Sequence, residues 1–413
     1  MRGVNGRMRC GRLLAALLVL LACAGCGAGG SLGSGGGTGG ERTAVRSLLD
    51  GWAAAVRDRD RHRYLAAVDP RATGYRTEQA RVFANLAHVP LSSWDYRLLR
   101  TGGFAPLPGD GHRVAVEAEL RYRLAGYDTA PVAAAVRLTA VRRDGHWYLA
   151  GQDAGQGARQ LWDQGPVTVV RGDHSLVLGV GQDDTRLRAL AGMADRAVPR
   201  VADAWKARDW PGRVVVELPA SLERMGQLLG APAANYRGIA AVTSGEVGNS
   251  GAAPADRIVV NPEAYGSLSD FGRQIVLTHE TAHVATRERT SAATPLWLSE
   301  GFADWAAYRG TGRTAAEVAP ELGRSVRSGA VPQQLPADGD FRFTGDSGTL
   351  ARAYEGGWLA CRMIAERWGE AALVAFYRAR GSAAAVRSVL GVSEDEFTAR
   401  WRGYVRAAFR GAF

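Results

Sequence analysis

The sequence predicts an α+β protein, and three features carry that expectation. "HRVAVEAELRYRL" alternates Val114, Val116, Ala118, Leu120 and Tyr122 with mostly polar partners, as a half-buried strand does. "VRLTAVRRDGHWYLAGQD" reads as two strands joined by an Asp144-Gly145 hairpin turn. From Pro166 onward, short apolar runs alternate with helix-period segments and give way to a helical tail, so a mixed sheet is followed by helices.

In chain order, the first segment is basic, with Arg2, Arg7, Arg9 and Arg12. "LLAALLVLLA" follows, ten apolar residues where a membrane span needs about 20. This is the layout of a secretory signal over residues 1–22, with an uncleaved anchor as the alternative. "CAGCGAGG" places small residues before cysteines, which resembles a bacterial lipobox. Cys23 is the expected lipidation site and Cys26 the alternative. Residues 23–40 then form a tether, because Gly27 to Gly40 holds nine glycines in fourteen residues. The expected location is the outer face of a bacterial cytoplasmic membrane, with the lipid anchor holding the chain there.

After the tether, Val45, Leu48, Leu49, Trp52 and Val56 mark a helix. That helix followed by long antiparallel strands resembles the cone-shaped α+β fold of the nuclear-transport-factor-like superfamily over residues 41–155. The likeness is one of topology. His62, His88, His112 and His146 fall here without metal-ligand spacing and read as solvated or core-edge side chains. The segment is expected to be a separable module without catalytic groups of its own.

"GQDAGQGARQ" leads into the second part, residues 165–413. "VTVVRGDHSLVLGVG" reads as paired strands, and "GRVVVELP", "GIAAVTSG" and "DRIVVNP" as single short strands. Leu187, Leu190, Ala194, Val198, Val201 and Trp205 share one helical face.

The net charge of +10 is not a nucleic-acid signature. The basic residues are nearly all arginine, Lys206 being the one lysine, in a chain rich in Ala and Gly. That is the bias of a GC-rich bacterial genome, and no basic run is interleaved with aromatics, so no nucleic-acid partner is expected. Of four cysteines, cleavage before Cys23 would leave Cys23, Cys26 and Cys361, one of them lipidated. No disulfide framework is expected.

The chemistry lies in "VLTHETAHVATRERTSAATPLWLSEGFADW". Ser267 or Ser269 can cap a helix on which His279 and His283 sit at i and i+4, on one face, about 5–6 Å apart. Two imidazoles so placed can take one zinc ion. Glu280 projects beside the metal, where it can act as a general base. Thr294 and Pro295 start a second helix, which sets Glu300 and Asp304 on one face. Glu300 can supply the third ligand, and Asp304 can hold the N–H of a ligand histidine. Three protein ligands with one open position describe a catalytic site. Leu298, Phe302 and Trp305 can pack the two helices together.

"LTHETAHV" with "PLWLSEGFADW" resembles the gluzincin peptidases, most closely bacterial peptidase-MA-like domains related to the aminopeptidase N family. The resemblance covers about residues 165–413. It implies one zinc ion on His279, His283 and Glu300, with Glu280 as general base and a peptide or protein as substrate. The gap from His283 to Glu300 is two residues shorter than is usual in the aminopeptidases, which suggests a trimmed loop. "ARAYEGGWLACRMIAERWG" resembles the family's tyrosine helix, so Tyr354 is expected to donate to the oxyanion; a core tyrosine is the alternative. The family's amine-binding "G-x-M-E-N" strand has no match in "GIAAVTSGEVGN", and Glu246 lies off the pattern. An endopeptidase is therefore expected. "DRIVVNP" is either the edge strand that binds substrate or plain core sheet. The competing reading is a binding or scaffold lipoprotein with a remnant peptidase fold.

Overall fold

The computed structural model describes residues 39–153, 159–206, 210–244, 256–342 and 346–410. The signal segment, Cys23, Cys26, most of the tether and Glu246 lie outside the described residues. The protein is α+β, with two sheets.

Three helices open the described chain: α1 (Gly39–Arg57), α2 (Arg61–Ala66) and α3 (Thr73–Asn85). Helix α1 begins two residues inside the glycine stretch. Val45, Leu49, Trp52 and Val56 are buried on its inner face. Strands β1 (Leu91–Thr101), β2 (His112–Leu124), β3 (Val132–Arg143) and β4 (His146–Gln152) form an antiparallel meander in sequence order. The β3–β4 turn puts Asp144 at φ 47° and Gly145 at φ 82°. Two left-handed residues match the right-handed twist of the strands they join, as the sequence pair implies. His62, His88, His112 and His146 are exposed, and His112 pairs with Glu41 at 2.7 Å.

A short helix, α4 (Leu161–Gln164), leads into the second sheet. Its strands are β5 (Val167–Arg171), β6 (Ser175–Val180), β7 (Val214–Leu218), β8 (Ala241–Ser244) and β9 (Arg257–Val260), in spatial order β5-β6-β7-β9-β8. Strands β6, β7 and β9 run parallel, and β5 and β8 close the two edges antiparallel. Helix α5 (Asp184–Trp205) makes the crossover from β6 to β7, and α6 (Leu222–Leu229) follows β7. The six α5 positions expected to share a face are all buried.

Every residue of β6 is buried because both faces of this sheet are covered. Leu176, Leu178, Val180 and Val215 join a core with α1 and the first sheet, through Trp94, Tyr122 and Trp162. Val177, Val214 and Val216 face the other way, onto α5 and the helix that carries the histidines. One apolar core therefore runs unbroken from the first sheet into the second.

Ions cross the same junction. Arg257 on β9 holds Asp128, from the β2–β3 turn, through both terminal nitrogens at 2.7 Å. Its Nε lies 3.7 Å from Glu217 Oε1 on β7. All three side chains are buried. A bidentate pair with an extra backbone donor to Asp128, the Leu124 N–H, is the arrangement that offsets the cost of desolvating two charges.

The remaining helices are α7 (Pro262–Gly266), α8 (Asp270–Thr286), α9 (Leu296–Tyr308), α10 (Ala315–Val318), α11 (Pro320–Arg327), α12 (Ser347–Trp368), α13 (Glu370–Arg378), α14 (Ala383–Leu390) and α15 (Glu394–Ala408). Helices α9 to α15 pack with the ends of α5 and α8 around a further core that includes Trp205, Phe302, Trp358, Phe376 and Trp401. No helix among the described residues is long and apolar enough to cross a membrane.

Candidate metal centre

Helix α8 starts where Ser269, the second of the two candidate caps, accepts the Gly272 N–H at 3.2 Å. Helix α9 starts after Pro295, whose fixed φ suits a helix entry. These two starts set the phase of both helices. His279 and His283 then point at Glu300 across the α8–α9 interface.

The three side chains form a closed triangle. Nε2 of His279 lies 2.9 Å from Nε2 of His283. Glu300 Oε2 lies 3.3 Å from the first nitrogen and 3.4 Å from the second. All three residues are buried, His279 completely. His279 Nδ1 lies 2.7 Å from Asp304 Oδ1. Its Nδ1–H donates to that carboxylate, which leaves the Nε2 lone pair directed into the triangle.

The donor set fits a metal ion. Ligand atoms about 2.0–2.2 Å from a tetrahedral zinc stand about 3.3 Å apart. The two edges to Glu300 already have that length, and only the His279–His283 edge is shorter. Glu300 Oε2 is buried and accepts no hydrogen bond. A buried carboxylate oxygen without a partner is costly unless a cation meets it. The surrounding carboxylates favour the protonated form of His279. Burial alone would lower His279, but Asp304 and Glu300 outweigh it and raise it to about 10. Burial would raise Glu300, yet His283 and His279 hold it down at about 2. Among the described residues, His279, His283 and Glu300 are the one group able to hold a metal ion.

Glu280 follows His279 on α8 but is not part of the triangle. Its Oε2 accepts the hydroxyl of Thr243, on β8, at 2.6 Å. Its Oε1 is buried without a partner. Burial pushes its pKa up, against the two imidazoles and Thr243. Tyr354, on α12, is buried, and the charges of Glu300, Asp304 and Glu280 act on its phenol. Burial and the nearby carboxylates hold this phenol far above its ordinary pKa, so it keeps its proton and can donate.

Several contributors have no signal in the local sequence. Thr243 is one. Tyr377 is another: its hydroxyl lies 2.8 Å from Thr290, 3.2 Å from Thr286 and 3.4 Å from Ser299, joining the end of α8 to the residue before Glu300. Arg287, one turn past His283, pairs with buried Asp256 at 3.0 Å. Phe302 meets Trp205 of α5 and Tyr377 of α13, so it ties α9 to those helices as well as to α8. Of the two readings of "DRIVVNP", core sheet is the one observed. Strand β9 lies inside, between β7 and β8, and β8 is the edge nearest α8.

No protein-family model matches this chain, and a search of curated proteins finds no match.

Proposed function

We propose that the protein is a one-zinc metallopeptidase of the gluzincin kind, lipid-anchored outside the cytoplasmic membrane, that cuts within peptide chains. One observation carries the reading. A buried two-histidine, one-glutamate triangle could hold one metal ion, and Glu280, next to His279 on the same helix, keeps a buried carboxylate oxygen without a hydrogen-bond partner.

Zinc, when bound, would polarise the substrate carbonyl and acidify a water molecule. Glu280 Oε1 takes a proton from the water as its oxygen bonds to the carbonyl carbon. The same carboxyl passes that proton to the departing amine as the C–N bond breaks. Tyr354 donates its O–H to the oxygen on which charge develops, an effect worth about 3 kcal/mol in a dry, preorganised site. Asp304 fixes the tautomer and orientation of His279.

The preference for internal bonds rests on β8. Ala241–Ser244 offers no carboxylate to pair with a free α-amine. A buried, unpaired ammonium costs several kcal/mol. The anchor rests on the cysteines and glycines of the first forty residues.

The deciding experiment has two arms. Metal analysis of the purified protein is expected to give one zinc per chain. An end-blocked, internally quenched peptide mixture is expected to be cleaved, a free-amine aminoacyl amide to be spared, and Glu280→Gln to abolish cleavage while keeping the zinc. A protein that binds no zinc, or a Glu280→Gln variant as active as the parent, overturns the proposal.

A further inference from the structure

Hydroxyl side chains near the metal triangle mostly bond to backbone. Thr278 and Thr281 donate to the carbonyls of Gln274 and Leu277, one turn back on their own helix. Ser244 donates to the carbonyl of Arg257. Thr243 does something else. Its Oγ1 lies 2.6 Å from Glu280 Oε2 and 3.2 Å from the Glu280 carbonyl oxygen. A hydroxyl has one proton to give, and the shorter contact to a carboxylate is the stronger. The longer contact shows how closely the strand lies against the helix backbone.

The strand itself cannot drift. Backbone pairing with β9 fixes its register, with Thr243 opposite Ile258. Ala241 is packed into the core beneath α5 and α8, and Val242 into the separate core with Met225 and Tyr236. Thr243 is 5% exposed, so bulk solvent has little access to its hydroxyl. A side chain locked by packing on both sides is what orienting a reactive group requires.

We propose that Thr243 is the positioning residue for Glu280: it ties down Oε2, so that Oε1, which has no partner, is the single oxygen presented to the reacting water. This rests on the peptidase reading, and it adds a residue 37 positions upstream of Glu280 (280 − 243), on a strand outside the helix that carries the metal ligands.

The test uses the full chain loaded with cobalt in place of zinc, with acetohydroxamate as the probe. A hydroxamate on the metal also hydrogen-bonds the glutamate beside it, so its affinity, read from the visible cobalt spectrum, reports how Glu280 is held. Thr243→Val keeps the shape and loses the hydroxyl; Thr243→Ser keeps the hydroxyl. Every variant is expected to bind one metal ion with parental affinity. Thr243→Val is expected to weaken acetohydroxamate about tenfold and to lower kcat on the quenched peptides about ten- to a hundredfold, with KM within about twofold, the loss of one charge-assisted hydrogen bond. Thr243→Ser is expected to restore both. The inference is overturned if the valine variant matches the parent while Glu280→Gln is impaired, if the serine variant is as weak as the valine variant, or if the valine variant loses its metal. If Glu280→Gln itself changes neither affinity nor turnover, the peptidase reading fails first, and this inference falls with it.

Discussion

Gly301 of α9 and Gly357 of α12 touch backbone to backbone. A Cβ on Gly357 would stand 2.6 Å from the carbonyl oxygen of Trp297, and a Cβ on Gly301 would overlap the Gly357 carbonyl. The two helices cross at their closest point there. Glu300 precedes the first glycine, and Tyr354 lies one turn before the second. The missing side chains are therefore what lets the helix that carries Tyr354 pack close against the helix that carries Glu300.

Gly357→Ala is expected to force α12 away from α9. Overpacking a rigid crossing costs about 1–3 kcal/mol. Urea unfolding should show that loss, and cleavage of the quenched peptides should fall further than Tyr354→Phe alone lowers it, because the whole helix moves. An alanine variant with parental stability would mean the crossing is more pliable than its geometry implies.

The ligand assignments separate by variant. His279→Ala is expected to lose zinc and stability together, since the site is part of the fold. Asp304→Asn is expected to keep zinc at about ten- to a hundredfold lower affinity, because it releases the Nδ1–H of His279. Competition with a chromophoric chelator measures both. Equal affinities for Asp304→Asn and the parent would remove Asp304 from its supporting role.

Asp128→Ala leaves Arg257 buried without its bidentate partner. Removing one member of such a pair costs about 3–5 kcal/mol. Because the first sheet shares its core with Leu176, Leu178 and Val215, the chain is expected to unfold in one calorimetric transition that the variant shifts as a whole. Two transitions, of which only one moves, would mean that residues 41–155 unfold as a module of their own.

Stability should depend on pH through Glu355. Burial pushes this carboxyl up to about 7, although the Glu321 and Leu322 amides donate to it. Its ordinary value is 4.5. The folded state thus holds the proton more tightly than the unfolded chain. The resulting stabilisation is full below about pH 4.5 and is lost as pH rises through about 7. Subtracting the unfolding free energy of Glu355→Gln from that of the parent is expected to show a fall of about 1–3 kcal/mol across this window and a flat line above it. A difference that rises with pH contradicts the assignment.

The parts of the site that could be read from sequence are those set by helical period. His279, Glu280 and His283 follow from one spacing, and Glu300 and Asp304 from a second. The α5 face and the Asp144-Gly145 turn were legible for the same reason: a local rule determines them. Thr243, Tyr377 and the Gly301–Gly357 crossing belong to contacts between elements far apart in the chain, which no periodicity encodes. Strand order was hidden likewise, since β8 and β9 are equally apolar and only their packing tells edge from interior. The Asp128–Arg257 pair has no signature in the sequence, because nothing in a sequence marks a charge as buried.

Chain distance also orders assembly in time. His279 and Glu300 are 21 residues apart (300 − 279), whereas Tyr354 comes 54 residues after Glu300 (354 − 300) and Thr243 comes 36 residues before His279 (279 − 243). Closing a short loop loses less entropy than closing a long one, and contacts near in sequence form early. A folding chain can therefore bring the side chains of the triangle together on the α8–α9 hairpin before Tyr354 or the β8 strand has docked. Metal content and competence would then be distinct milestones. A preparation full of zinc could still hold molecules that have not finished folding.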